Sequence, residues 1–191
     1  MKGLYVYDNE ASGLLEEENL YYHCTLFKEY AIDNWILFLD FSHPELDVAK
    51  KFIESKGHNL KILDYKDLEK WLTTVPRAIA AHNAFGYDLR LWKKLSGIDY
   101  DMFKDPKCMG TIGGKQVNLY DTLSMSRVLY PDRPLPNGCP DSVLNPVTGK
   151  RDRVGPHGLL AWGYRVANKK VQIDDWRNQP LWEYVSRVHE D

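Results

Sequence analysis

The apolar positions of the chain fall into short runs of two different periods. Residues 3–7 (GLYVY) form a continuous apolar and aromatic run that delivers the acidic DNE triplet at its end, the composition of a buried strand. Two further runs, 20–27 (LYYHCTLF) and 34–39 (NWILFL), have strand composition and short connections, which predicts an antiparallel meander beside the first strand. From 44 to 57 the period changes: Leu46, Val48, Ala49, Phe52 and Ile53 recur at helical spacing, and Gly57 offers a stop. A short strand at 59–63, a helix at 65–72 and a continuous apolar strand at 77–81 (RAIAA) follow, the last ending at His82 and Asn83. An amphipathic helix at 87–95 closes near Gly97, and a strand at 117–119 feeds Asp121, which can cap a helix running through Val128. This alternation of helix and strand favours parallel pairing. Residues 131–155 are rich in proline and glycine and read as one long surface loop, a length that is more often functional than decorative. Helices at 156–167 and 180–191 end the chain, each with proline at or near its first turn.

With 191 residues, 43% of them hydrophobic, the chain suits a single α/β domain spanning 1–191. Its formal net charge of −2 removes the simplest argument for nucleic-acid binding, since generic phosphate binders are strongly basic. A carboxylate site that recruits cations lowers that charge before its metals are counted, so a nuclease is not excluded. Cys24, Cys108 and Cys139 lack disulfide-framework or zinc-ligand spacing and read as reduced thiols of a cytoplasmic protein. No run approaches the ~18 apolar residues that a membrane helix needs, and the N-terminus reaches charge too early for a signal peptide. No membrane partner is expected.

Four acids then stand out. Asp8 and Glu10 lie two apart at a strand end, so the strand period puts both side chains on one face. Alone, such a pair is an ordinary acidic turn. Asp88 follows the buried strand RAIAA, at the kind of strand exit where α/β sheets meet ligands, in company with His82, Asn83 and Tyr87. Asp191, the final residue, read by itself is a solvated chain end. Together they suit phosphodiester hydrolysis, which uses two cations about 3.5–4 Å apart to stabilise the attacking and leaving oxygens. Mg²⁺ or Mn²⁺, two ions, is the expected cofactor, because Asp and Glu are hard oxygen ligands.

The stretches YDNEASGLL (7–15), HNAFGYDLRLW (82–92), DTLSMSRVLY (121–130), GPHGLLAWGYRVANKK (155–170) and RVHED (187–191) resemble, in family order, the DEDD 3′→5′ exonucleases. The resemblance is closest to the proofreading domain of podophage-type family A DNA polymerases. It implies a ribonuclease H-like fold, a mixed β-sheet flanked by α-helices. It also implies an enzyme that shortens single-stranded or frayed DNA from the 3′ end, proofreading in phage DNA replication within the host cytoplasm.

Carried over by position, Asp8, Glu10 and Asp191 would hold the metal that activates water, and Asp8 with Asp88 the metal beside the leaving 3′ oxygen. Leu14 resembles the residue that wedges against the terminal base. Ala11, Ser12 and Gly13 would let backbone approach the 3′ end, and His82, Asn83 and Tyr87 would line the strand path. Asp121 looks like a cap or supporting group rather than a ligand, and Trp162 and Tyr164 like helix packing. The cluster Lys150, Arg151 and Arg153 could meet phosphates, with a solvated loop at least as good a reading.

Two departures stand against the family pattern. The tyrosine usually found four residues before the last aspartate is Arg187 here, and the histidine another branch places five before is Ser186. Arg187 either substitutes electrostatically or leaves the water less well oriented, so weaker activity is expected. The sequence also stops on the last expected ligand, as a separately encoded subunit or as a piece of a polymerase. The competing expectations are a weak or inactive nucleic-acid-binding subunit that docks on a DNA polymerase, and an exonuclease directed at RNA.

Overall fold

The first strand, β1 (Leu4–Ala11), runs past the apolar stretch that predicts it. The reason is its neighbour β2 (Tyr22–Glu29), which pairs antiparallel with it from Tyr5 opposite Glu29 to Ala11 opposite Tyr22. Asp8 and Glu10 therefore lie inside a strand rather than beyond its end. The computed structural model describes residues 3–105, 108–145, 148–166 and 180–190; side chains at 102–105, 108–109 and 187–190 lie outside that description.

Strand β3 (Trp35–Leu39) completes the expected meander, and helix α1 (Leu46–Glu54) carries the chain to β4 (Leu60–Asp64), parallel to β3. A 3₁₀ turn (Tyr65–Asp67) opens helix α2 (Leu68–Thr74), which leads into β5 (Ala78–Ala81) on the far side of β1. Next come a π-helical turn (Ala84–Asp88) and helix α3 (Leu89–Ser96), which Gly97 ends in the left-handed conformation. Strands β6 (Tyr100–Asp105), β7 (Cys108–Ile112) and β8 (Lys115–Gln116) form a small sheet. After it, β9 (Asn118–Asp121) joins the main sheet beside β5 and runs into helix α4 (Thr122–Leu129). The main sheet has the order β4-β3-β2-β1-β5-β9, and every strand except β2 points the same way. The architecture is thus a mixed six-stranded sheet flanked by helices, an α/β fold. Among the described residues no helix is long and apolar enough to cross a membrane. Cys24 is buried and Cys139 half-buried, and the Cys108 side chain lies outside the described residues.

The two faces of this sheet carry separate cores. On one, Tyr5, Tyr7, Phe27, Phe38 and Ile79 pack against Leu68, Trp71, Leu72, Leu89 and Trp92 of α2 and α3. On the other, Cys24, Leu26, Leu37 and Leu39 pack against Ala49 and Ile53 of α1 and against Leu181, Tyr184 and Val185 of the last helix, α6 (Leu181–Glu190). β3 reads as a continuous apolar run because it is buried on both faces.

The sequence does not announce β6, β7 and β8. Their residues alternate poorly and include Asp101, Lys104 and Asp105, while the clearest signal is the glycine pair at the β7–β8 turn. Gly113 (φ 54°) and Gly114 (φ 78°) both take the left-handed conformation that a two-residue hairpin requires. The region 131–155 likewise departs from a plain loop, since β10 (Ser142–Leu144) and β11 (Arg151–Arg153) pair antiparallel within it. Helix α5 (Leu159–Val166) begins three residues later than its proline suggests.

Phe27 is fully buried, with its ring against those of Tyr7, Trp71, Phe38 and Trp92. Phe27→Ala is expected to cost about 3–5 kcal/mol of stability, read as a fall in the urea midpoint at unchanged slope.

Candidate active site

β1 and β5 part company early. Their parallel pairing ends with Val6 opposite Ala80, while β1 continues through Ala11 in register with β2. The edge so exposed lies at the carboxyl ends of parallel strands, the usual place for a ligand in an α/β sheet. What enters it is the turn after β5. Asn83 has a positive φ of 69°, a conformation asparagine tolerates better than most residues. Its side-chain amide lies against Gly86, where any Cβ would overlap it. The π-helical turn next to it widens the backbone by one residue and sets Asp88 at the start of α3.

Asp121 fixes this turn. Its carboxylate accepts from the backbone N–H of Asn83 (3.2 Å) and Phe85 (3.1 Å), and also from Leu123 (2.9 Å) and Ser124 (3.1 Å) at the start of α4. The cap expected at Asp121 is present, and it ties two strand exits together. His82 is held nearby, with Nδ1 3.0 Å from the Thr122 hydroxyl, which donates to the Ala81 carbonyl. A hydroxyl has one proton to give, so Nδ1 is the donor in that pair.

The acids approach β1 from different sides. Asp8 and Glu10 sit opposite Leu26 and Cys24, and directly opposed residues share a face, so both half-buried carboxylates project on the side that α6 covers. Asp88 comes from the other side and is 3% exposed. Its Oδ1 accepts from Asn9 Nδ2 at 3.0 Å. Burial, then the charge of Asp8, raises the Asp88 pKa well above the ordinary carboxylate value, while the bond from Asn9 opposes the rise. Asp8, Glu10 and Asp88 also act together on Tyr87, whose phenol pKa is raised by burial first and by Glu10 next. Three of the four expected acids therefore share one electrostatic neighbourhood. Among the described residues no three His, Cys, Asp or Glu side chains stand close enough to form a ready metal site. Asp191, the fourth expected ligand, lies outside the described residues, as does the side chain of Arg187.

The strand-following loop is tied down at several points. Tyr87 donates its hydroxyl to the Gly13 carbonyl (2.9 Å), and Lys94 donates to the carbonyls of Leu15 and Glu17 (2.6 Å each). Glu17 accepts from the Leu14 N–H (3.2 Å), with its carboxylate pressed against Gly13 where a Cβ would stand. Ser12 accepts from the Tyr21 N–H (3.0 Å). Ala11 has its side chain in a small apolar cluster with Leu20 and Leu91, which leaves only its backbone for a ligand. Leu14 is left 57% exposed on a turn held from three directions.

Helix α6 is seated by two contacts that sequence alone did not suggest. Glu45, just before α1, accepts from the Leu181 N–H at 2.6 Å, filling one of the open donors at the helix start. His23 is the extra residue of a bulge in β2, between Cys24 opposite Glu10 and Tyr22 opposite Ala11. Its ring stacks on Tyr184 at 3.8 Å. Tyr184 thus faces the core. Trp162 is half-buried between the guanidinium groups of Arg133 (4.7 Å) and Arg165 (5.3 Å), and Tyr164 is also half-buried. Lys150, Arg151 and Arg153 are exposed on the β10–β11 hairpin, where Arg151 donates to the hydroxyl and carbonyl of Ser142 (3.0 Å each).

Two consequences are measurable. Both ring nitrogens of His23 are buried without a hydrogen-bond partner, and burial, with His43 nearby, pushes its pKa down from 6.5 to about 4. The unfolded chain binds the proton more readily, so the stability from neutral His23 is complete above the unfolded pKa. It is lost as pH falls from about 6.5 towards 4, by at most about 3 kcal/mol. His23→Phe should flatten that loss in urea titrations across this window. For Asp88 the sign is reversed: its raised pKa means that the charged form costs stability at neutral pH. Asp88→Asn should therefore raise the thermal midpoint at pH 7 in the absence of divalent metal. No protein-family model matches the chain, and no curated protein matches it.

Proposed function

We propose that the chain is a metal-dependent 3′→5′ exonuclease of the ribonuclease H-like class, acting on single-stranded or frayed DNA ends. The observation that carries the reading is the setting of Asp88. Among the described residues, the groups that act on it are burial, Asp8, Asn9, its own backbone and Asp121, and none of them is a cation. A carboxylate buried beside another carboxylate is unfavourable in a purely structural role. It becomes favourable when a divalent cation joins the pair, and perturbed acids of this kind concentrate at functional sites. The donors are hard oxygens, which fit Mg²⁺ or Mn²⁺.

Other features support the same reading. The mixed six-stranded sheet flanked by helices is compatible with the fold that the resemblance implies. Asp8 and Glu10 face the helix whose next residue after Glu190 is Asp191. When bound, the two ions would make water acidic enough to attack at neutral pH and would neutralise the leaving oxygen. The carboxylates Asp8, Glu10, Asp88 and Asp191 would hold those ions, Leu14 would present an apolar contact for the terminal base, and Tyr87 fixes the loop that carries it. The anchored loop suits a single strand, whose bases offer an apolar face. Proofreading beside a DNA polymerase is the role in which such an activity would serve.

End-labelled single-stranded DNA and RNA of one sequence, incubated with Mg²⁺ or Mn²⁺, test this. DNA is expected to shorten stepwise from its 3′ end, with the activity lost on chelation and reduced to background in Asp8→Ala. Shortening that ignores metal or survives Asp8→Ala overturns the reading, whereas RNA shortened faster than DNA reassigns the substrate. Binding of single strands without cleavage would instead mark a docking or clamp subunit.

A further inference from the structure

Asn9 stands between the two acids of β1 and points the other way. The strand alternation places it with Tyr5, Tyr7 and Ala11 on the buried face, where it is 5% exposed. A polar amide there must have its hydrogen bonds met, and three partners from three elements meet them. Trp92 of α3 donates its indole N–H to Asn9 Oδ1 at 3.1 Å, and the Thr25 hydroxyl of β2 donates to the same oxygen. Asn9 Nδ2 donates to Asp88 Oδ1 at 3.0 Å.

The chemistry of these partners sets the direction of the amide. An indole N–H can only donate, so the atom facing Trp92 must be the oxygen. The NH₂ end is then directed at Asp88 and cannot turn away without setting two donors against each other. Asp88 receives a fixed donor on Oδ1, which together with its own backbone N–H counters part of the cost of burying its charge.

We propose that Asn9 is a positioning residue for the metal site, an amide oriented by Trp92 and Thr25 that grips Asp88 through Oδ1 and so fixes the direction in which its carboxylate meets a divalent cation. This rests on the metal-dependent reading above and names the group that readies a deeply buried ligand. Outer partners of metal ligands typically contribute 10–100-fold in metal affinity. Asn9 belongs to that class although it lies on β1 beside Asp8 and Glu10, because its one ligating atom, Oδ1, is already taken by the Trp92 and Thr25 donors.

The test measures Mn²⁺ binding by titration calorimetry, with nuclease rate against Mn²⁺ concentration as a second readout. Asn9→Leu, nearly the same size and without hydrogen-bonding groups, is expected to weaken Mn²⁺ binding by about 10–100-fold. Excess Mn²⁺ should bring its turnover back towards that of the parent protein, a rescue that damage to the fold would not permit. Trp92→Phe frees the amide to turn and should weaken binding in the same direction by a smaller factor. If Asn9→Leu does not fold, Trp92→Phe and Asn9→Ser carry the test, with Asn9→Ser keeping a hydroxyl donor and intermediate affinity. Parent-like Mn²⁺ affinity in the folded variants overturns the proposal while leaving the nuclease reading intact. No Mn²⁺ binding by the parent protein overturns the reading on which it rests.

Discussion

A carboxylate buried beside another carboxylate is the constraint around which the site is built. Asp88 is almost wholly removed from water, with Asp8 close enough to oppose its ionisation. Leaving such a charge uncompensated is far more costly than leaving a surface acid unpaired. The surroundings of Asp88 read as responses to that cost. Asn9 supplies a hydrogen bond, Trp92 and Thr25 fix the amide that gives it, and Asp121 stabilises the turn that delivers Asp88 to the strand edge. None of these groups supplies positive charge, and Asp121 adds a further negative one.

The geometry comes from β1 having two unlike faces and one open edge. One face carries Tyr5, Tyr7 and Asn9 into the aromatic core under α3; the other carries Asp8 and Glu10 towards α6. Because β5 stops pairing at Val6, the last part of β1 is open to the turn bearing Asp88. A rigid sheet thus gathers acids from segments far apart in sequence, and the aromatic packing of Tyr7, Phe27 and Trp92 keeps its centre from yielding. Precision at a ligand site comes from such supported elements rather than from loops. The one loop that matters, residues 12–19, is made to behave similarly by Tyr87, Lys94 and Glu17.

Helix α6 is a different kind of element. It is joined to the sheet by side chains that are distant in sequence, Glu45 at its first turn and His23 beneath Tyr184. Neither contact involves Asp8, Glu10 or Asp88, yet both govern where the end of that helix lies. A bulge was needed to bring His23 to this face, since the regular period of two would have sent it to the opposite side.

By itself the sequence determined the elements whose period is strong. The meander, α1, β5, α3 and the cap at Asp121 were legible because burial imposes alternation or helical spacing on the residues themselves. So were Asp8, Glu10 and Asp88 as candidates, through the two-residue spacing of the first pair, the place of Asp88 after a buried strand and the order of the motifs around them. The small sheet β6-β7-β8 and the β10–β11 hairpin were not legible, because partly polar strands leave little pattern and depend on their partners. Asn9 was hidden for a related reason. An asparagine in an acidic triplet looks like part of a turn, and only the extension of β1 by β2 turns it inward to meet Trp92 and Asp88. The tertiary structure alone decided which face each polar residue takes, since that depends on strand register and on where β5 stops, and neither is written in any local stretch of the chain.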